Sequence, residues 1–319
     1  MAAPSQVADG VVEIDTLLGG WAQMTAGYLL TGAAPLLVET GSQTSVPVVR
    51  DLLARAGLSP ADLAGIAVTH IHLDHAGGVG DLAAAFPEAT IYVHERGARH
   101  LIDPSRLVSS AARVYGGLLD SLYGRMTPLE PGRVQVLGDG DRVEVDPGRH
   151  LVAIDSPGHA KHHLGFLDEQ SGLLFCGDAV GVRLPGGGVL RPAAPPPDFD
   201  LELALASLGR FSAHRPRRLA FAHYGIVDVP VDELLAQAAD VLHAWVEEAV
   251  RALGAGEDVA SAFARRFSPE LDALSAEERR RIETLNGVHS NAAGITRYLA
   301  QRAGEPIDAP DGGARAPDA

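Results

Sequence analysis

Short apolar runs alternate with helix-like segments through the first part of the chain. Residues 27–32, 35–41, 65–69 and 90–95 are short and apolar, and glycine or proline lies near their ends, which is typical of β-strands. Between them, residues 46–57 carry apolar side chains at helical spacing and end on a glycine. The pattern predicts strands and helices interleaved along the chain.

Residues 96–130 break this alternation. Leu107, Val114, Tyr115 and Leu118 recur at helix-like spacing, so we predict a helical insertion over 96–130. Strand-like runs then resume, and residues 133–145 read as a hairpin around two glycines. Residues 184–200 are dense in glycine and proline, which predicts either a stiff, ordered loop or a mobile flap.

The last third of the chain is predicted to be helical. Helices are expected over 231–253, 275–285 and 290–302, the second opened by a capping box of Ser275 and Glu278. We therefore divide the chain into a domain of mixed strands and helices (1–230), a C-terminal helical region packed on it (231–302) and a disordered tail (303–319).

Composition narrows the class of protein. With 46% hydrophobic and 21% charged residues, the 319-residue chain is typical of a soluble globular protein. A formal net charge of −15 argues against nucleic acid or an anionic membrane as partner. The single cysteine, Cys176, excludes an intrachain disulfide, and the first residues lack the pattern of a signal peptide. We expect a cytoplasmic protein.

A cluster of metal-binding side chain types follows the apolar run 65–69. His70, His72, Asp74 and His75 lie within six positions, and imidazole and carboxylate are common zinc ligands. Two histidines two residues apart can bind one ion from an extended loop, while Asp74 and His75 can face a second ion. Further ligands are expected after other strand-like runs, and the candidates are His159, Asp178 and His223.

The stretches "THIHLDHAGG", "PGHAKHH", "CGD" and "AHYG", in that order, resemble the metallo-β-lactamase-fold hydrolase superfamily over residues 11–230. The resemblance implies an α/β fold, an αββα sandwich of two mixed sheets flanked by helices. It also implies a ligand set: His70, His72 and His159 for one metal, Asp74, His75 and His223 for the other, with Asp178 between the two. His163 is placed as a residue that supports the ligands, and Tyr224 as a group that could face them or the substrate.

Within that superfamily, the chain looks more like the glyoxalase-II-like and lactonase-like hydrolases than true β-lactamases, because Asp178 is present. The implied cofactors are two divalent ions, zinc first, with iron or manganese as alternatives. The implied reaction is attack of a metal-bridging hydroxide on an ester, thioester or lactone, with Asp74 as a proton shuttle. Gly181 stands where related lactonases often carry tyrosine, which argues against an acyl-homoserine lactone.

Several alternatives stay open. Residues 96–130 and 184–200 either line a pocket for a small, partly apolar substrate or serve core packing or a homodimer contact. The same motifs are also found in mononuclear iron enzymes that oxidise persulfides. A third hypothesis is a non-catalytic binding protein on the same fold.

Overall fold

The structure, a computed structural model, describes residues 5–183 and 188–304. Its first sheet has seven strands in chain order, antiparallel from β1 to β4 and parallel from β4 to β7. The strands are β1 (Ser5–Ala8), β2 (Val11–Asp15), β3 (Ala26–Leu30), β4 (Leu36–Val38), β5 (Gly65–Ala67), β6 (Thr90–His94) and β7 (Val134–Leu137).

The second sheet has six strands in the order β15-β14-β11-β10-β9-β8. All neighbours are antiparallel except β11 and β14, which run parallel. The strands are β8 (Arg142–Asp146), β9 (Arg149–Asp155), β10 (Leu164–Asp168), β11 (Leu173–Gly177), β14 (Arg218–Phe221) and β15 (Gly225–Ile226), while β12 (Val182–Arg183) and β13 (Leu190–Arg191) pair separately.

Ten α-helices lie in the described part of the chain. They are α1 (Val46–Arg55), α2 (Leu73–Ala76), α3 (Val79–Ala85), α4 (Glu95–Ile102), α5 (Ser105–Tyr115), α6 (Leu201–Ala213), α7 (Val231–Gly254), α8 (Val259–Phe267), α9 (Ala276–Asn286) and α10 (Val288–Ala303). No helix among the described residues is long and apolar enough to cross a bilayer.

Three apolar layers explain why many strands read as continuous hydrophobic runs. Tyr28 and Phe166 belong to the core between the two sheets, whereas Leu29 faces the helices outside the first sheet and Leu167 those outside the second. A strand buried on both faces needs apolar residues at every position. The arrangement confirms the predicted αββα sandwich.

The helical insertion and the C-terminal helices are also present. Residues 95–115 form α4 and α5, and a single π-helical turn follows at Leu119–Tyr123. The helices α7, α8 and α10 share the apolar core outside the second sheet. The capping box of Ser275 and Glu278 opens α9 as predicted, whereas α8 was not predicted. Residues 184–187 of the predicted loop and 305–319 of the predicted tail lie outside the described residues.

The hairpin predicted over 133–145 is wrong. Its two strands, β7 and β8, lie at the edges of different sheets, where β7 pairs with β6 and β8 pairs with β9. The turn after β7 is held by Asp141, whose side chain accepts from the Gly138 amide at 2.7 Å, and it carries the chain from one sheet to the other. Alternating side chains define the buried face of a strand but not its partner.

Arg149 of β9 ties the two sheets together at one end, because it pairs with Asp168 of its own sheet and also bonds a carbonyl that follows β3 of the first sheet. Arg149 is 3% exposed and donates two bonds to Asp168, at 3.1 and 2.7 Å, and a third to the carbonyl of Thr31 at 3.1 Å. Because Asp168 is fully buried, its charge depends on this arginine.

We therefore expect Arg149→Ala to destabilise the metal-free protein by about 3–5 kcal/mol, because it leaves the Asp168 carboxylate buried and unpaired. The matched control is Arg142→Ala, whose pair with Glu169 is half exposed and should cost less than about 1 kcal/mol. Urea unfolding of both variants measures the difference. Equal unfolding free energies would show that the buried contacts of Arg149 do not stabilise the protein.

Candidate metal centre

The histidine cluster begins at His70, three residues after the end of β5, and continues into the short helix α2. Its position is fixed from the first sheet, since the Thr40 amide and hydroxyl both donate to the His75 carbonyl, at 2.9 and 2.7 Å. Past α2, a Cβ on Gly77 would lie 2.1 Å from the Leu73 carbonyl oxygen, so the turn has no room for a side chain there.

Three imidazoles converge at one point. The Nε2 of His70 lies 2.9 Å from Nδ1 of His72 and 3.2 Å from Nε2 of His159, and the last two are 2.9 Å apart. Burial holds the pKa values of all three rings below the usual histidine value. Neutral nitrogens about 3 Å apart suit the donors around one ion, whose Zn–N bonds are about 2.0–2.1 Å.

Backbone carbonyls orient two of the candidate ligands. His159 donates from Nδ1 to the Ala193 carbonyl at 2.9 Å, and His223 donates from Nδ1 to the Met24 carbonyl at 2.7 Å. These bonds place the proton on Nδ1 and leave each Nε2 free to bind a metal.

A second group lies beside the first. The Nε2 atoms of His75 and His223 are 3.2 Å apart, and Asp74 Oδ2 lies 3.7 and 3.5 Å from them. Burial alone would lower the pKa of His75, but the carboxylates of Asp74, Asp178 and Glu39 raise it to about 10. In the metal-free protein this ring is therefore protonated on both nitrogens, and positively charged, at neutral pH.

Asp178 joins the two groups. It follows β11, and its Oδ1 lies 3.5 Å from Nε2 of both His75 and His223, while Oδ2 lies 3.6 Å from Nε2 of His159. Among the described residues, Oδ1 is buried and has no hydrogen-bond partner. Burial alone would raise the pKa of Asp178, but the surrounding histidines hold it well below its usual range. A buried oxygen of this kind fits a metal ligand.

The structure thus brings all seven candidate ligands together. Three sets of ligand atoms lie within 4.8 Å of one another: His70, His72 and His159; His70, His75 and Asp178; and Asp74, His75 and His223. Their assignment to two ions stays a prediction.

Of the two supporting residues predicted, only His163 lies in contact with the cluster. Its Nδ1 donates to Ser156 Oγ at 2.8 Å, so its Nε2 can accept from the Asp178 amide at 3.2 Å. Burial and the nearby carboxylate of Glu13 on β2 instead raise the pKa of Tyr224. No contact of its hydroxyl with the ligand set supports the predicted role.

Glu39 contacts a candidate ligand but was not predicted from the sequence. This buried carboxylate lies 3.4 Å from Nδ1 of His75 and accepts from the Thr69 amide at 3.2 Å. It therefore orients a candidate ligand from behind. It directly follows β4, as Asp178 directly follows β11, but the strand predicted over 35–41 includes Glu39, so the sequence did not mark it as a residue at a strand end.

The chain is similar in sequence and in fold to known proteins. A family model described as the metallo-beta-lactamase superfamily matches residues 20–223. The metallo-beta-lactamase fold-containing protein ST1585 of Sulfurisphaera tokodaii is 29% identical over 171 residues, 53% of this chain and 63% of that protein. The hydroxyacylglutathione hydrolase of Cupriavidus taiwanensis is 34% identical over 153 residues, 47% and 46% of the two chains.

The thioesterase pkgB of Emericella nidulans is 30% identical over 162 residues, 50% of this chain and 36% of that protein. Each of these matches spans less than two thirds of the relative. The crystal structure of ST1585 superposes with a TM-score of 0.69 at 22% identity and covers 90% of this chain and 98% of the other. That likeness shows the fold.

The two groups should differ in how their metal affinity depends on pH. The group of His70, His72 and His159 is neutral at pH 7, so an ion binding there releases no proton. The other group must lose the His75 proton, so its ion should release about one proton and bind about tenfold more tightly per pH unit between pH 7 and 10.

Metal titration in a weak buffer with a pH indicator counts the protons released by each equivalent. The first group serves as the internal control. A second equivalent that releases no proton at pH 7 would show that His75 is neutral or is not a ligand.

Proposed function

Because the chain belongs to the metallo-beta-lactamase superfamily, we propose that it is a dinuclear-metal hydrolase that cleaves an ester, thioester or lactone of a small, partly apolar substrate. The observation that carries this proposal is the placement of Asp178, whose two oxygens face two different histidine groups. Relatives named as a hydrolase and a thioesterase support the reaction class.

The donor set favours two divalent ions, zinc first and iron or manganese as alternatives. Five histidine nitrogens and two carboxylates form a nitrogen-rich set of the kind zinc prefers. Bound there, the ions would lower the pKa of a shared water to about 7 and polarise the substrate carbonyl. The residues of the chain would hold these ions, exclude bulk water and move protons.

Asp74 is the proposed proton shuttle. Its side chain is 16% exposed, whereas those of His75 and His223 are 1% exposed, so Asp74 lies on the open side of the site. A carboxylate in that position can accept a proton from the attacking water and pass it to the leaving group.

The insertion supplies the proposed substrate contacts. Tyr115, at the end of α5, lies close enough to Asp74 and Asp178 for both charges to act on its hydroxyl, and it packs on Tyr123 with ring centroids 4.5 Å apart. Burial raises the pKa of Tyr115 to about 12, so at neutral pH the phenol is a hydrogen-bond donor. We propose that it donates to the carbonyl or leaving-group oxygen of the substrate.

Charge and composition support the remaining proposals. A net charge of −15 disfavours nucleic acid and anionic membrane, which leaves a small molecule as the partner. The single, buried Cys176 fits a reducing, cytoplasmic location. A homodimer stays a prediction.

The test combines metal content with turnover. Protein purified without added metal should contain about two zinc ions per chain and hydrolyse members of an ester, thioester and lactone panel. Asp178→Ala should lose metal and at least about 100-fold of that activity, because second-shell changes alone cost 10–100-fold. His243→Ala, an exposed histidine of α7, is the matched control and should change neither.

Full metal content and full activity in Asp178→Ala would overturn the proposal. One iron per chain, with oxygen uptake in the presence of persulfides, would favour the mononuclear dioxygenase instead.

Substitution of the two tyrosines separates their proposed roles. Tyr115→Phe should lower kcat by about tenfold, the value of one hydrogen bond in the transition state, while KM changes little. Tyr224→Phe, whose hydroxyl faces Glu13, should stay within about twofold of the wild type. Steady-state kinetics on the best substrate measures kcat and KM of both variants. A loss of kcat in Tyr224→Phe but not in Tyr115→Phe would show that Tyr224, and not Tyr115, contacts the substrate.

A further inference from the structure

A short segment lies between the candidate metal centre and the C-terminal helices. It runs from Arg191 to Ala194, and all four of its residues are buried. Its Ala193 carbonyl accepts the Nδ1–H of His159 at 2.9 Å. The direction in which this carbonyl points therefore sets the tautomer and the orientation of a candidate metal ligand.

Two buried asparagines of the C-terminal helices hold the groups on either side of that carbonyl. Asn291 of α10 accepts from the Ala194 amide at 2.8 Å, and Asn286, the last residue of α9, donates to the Pro192 carbonyl at 3.0 Å. Asn291 also donates to the side-chain oxygen of Asn286 at 2.9 Å. The pair thus binds the segment through one donor and one acceptor, and the two side chains fix each other.

The contact is close as well as polar. A Cβ on Gly294 would lie 2.0 Å from the Ala194 carbonyl oxygen, so α10 approaches the segment at a distance that only glycine permits. Arg191, 2% exposed, anchors the segment from its start with ion pairs to Glu270 at 3.0 Å and Glu283 at 2.9 Å. The segment is therefore held by groups from the helical region over most of its length.

Packing alone does not require this arrangement. Helices α7, α8 and α10 already share an apolar core with the second sheet. Two buried amides are costly unless they are hydrogen-bonded, and here Asn291 binds the peptide group that carries the Ala193 carbonyl, while Asn286 binds the peptide group before it.

We propose that Asn291, supported by Asn286, is a positioning residue for the metal group of His70, His72 and His159, acting through the Ala193 carbonyl on the His159 ring. The proposal rests on the metal assignment of the proposed function but not on the substrate or the reaction. It makes the C-terminal helices part of the metal centre, although none of the candidate ligands lies on them.

The test uses the full chain and measures metal affinity rather than activity. Asn291→Ala should weaken the binding of one of the two zinc ions by about 10–100-fold, as other losses of ligand support do, and leave the second ion bound as in the wild type. Competition with a chelator of known affinity measures both constants. The NMR signal of the His159 Nδ1–H should broaden or exchange faster in the same variant.

Two control variants on the same helix separate positioning from general damage. Ile295→Ala removes a fully buried apolar side chain of α10 and destabilises the helix, but it removes none of the hydrogen bonds to the segment 191–194. Tyr298→Phe removes the bond to Glu202 from Tyr298, which lies two turns beyond Asn291 along α10. Both should keep wild-type zinc affinity at both sites, even where Ile295→Ala lowers Tm at least as much as Asn291→Ala.

Equal loss of zinc affinity in Asn291→Ala and Ile295→Ala would overturn the proposal, and so would unchanged affinity and an unchanged His159 signal in Asn291→Ala. Should Asn291→Ala fail to fold, Asn286→Ala is read in the same way, with a smaller loss expected because the Ala194 bond remains. Wild-type protein that binds two ions but hydrolyses nothing would contradict the proposed function alone, since the affinity test still decides this inference.

Discussion

The structure depends on the interaction of one buried carboxylate with the histidines around it. Asp178 lies within 3.6 Å of imidazole nitrogens from both groups, and those nitrogens would repel one another if they all became protonated. Such an assembly is unfavourable in a protein interior unless it is paired or binds metal. The two sheets meet this requirement by bringing the ends of β5, β9, β11 and β14 to one place. The parallel pair β11 and β14 sets Asp178 and His223 at neighbouring strand ends.

Much of the candidate metal centre was predictable from the sequence, because metal ligands belong to a few residue types that are recognisable where they cluster. His70 to His75 form a dense local cluster, and the more distant partners follow apolar runs that end in glycine or a small residue. The sandwich itself came from the resemblance rather than from periodicity. The hairpin predicted over 133–145 was wrong because alternating side chains indicate which face of a strand is buried and not which strand it pairs with. β7 and β8 pair with strands of different sheets.

The supporting residues could not be predicted, because they act through geometry that the local sequence does not encode. The Ala193 and Met24 carbonyls orient His159 and His223, and a main-chain oxygen has no residue-type signature. Glu39 is 36 residues from His75, whose ring it faces. Tyr224 shows the opposite error, since it is adjacent to a ligand in sequence while its hydroxyl points to Glu13 in another strand.

The end of the family model at residue 223 separates the candidate ligands from the C-terminal helices. The family model ends at residue 223, so it includes every candidate ligand but none of the C-terminal helices. If the candidate ligands were held by the sandwich alone, the helices that pack outside the second sheet could change without any effect on those ligands. Here the C-terminal helices contact the segment 191–194, which bonds the His159 ring and is held by two asparagines and by the ion pairs of Arg191. Under the proposed assignment, a change in that helical surface would therefore alter how firmly the His159 ring is held without changing any candidate ligand. Under the proposed metal assignment, substitutions beyond residue 223 would in this way tune metal affinity while the ligand set stays the same.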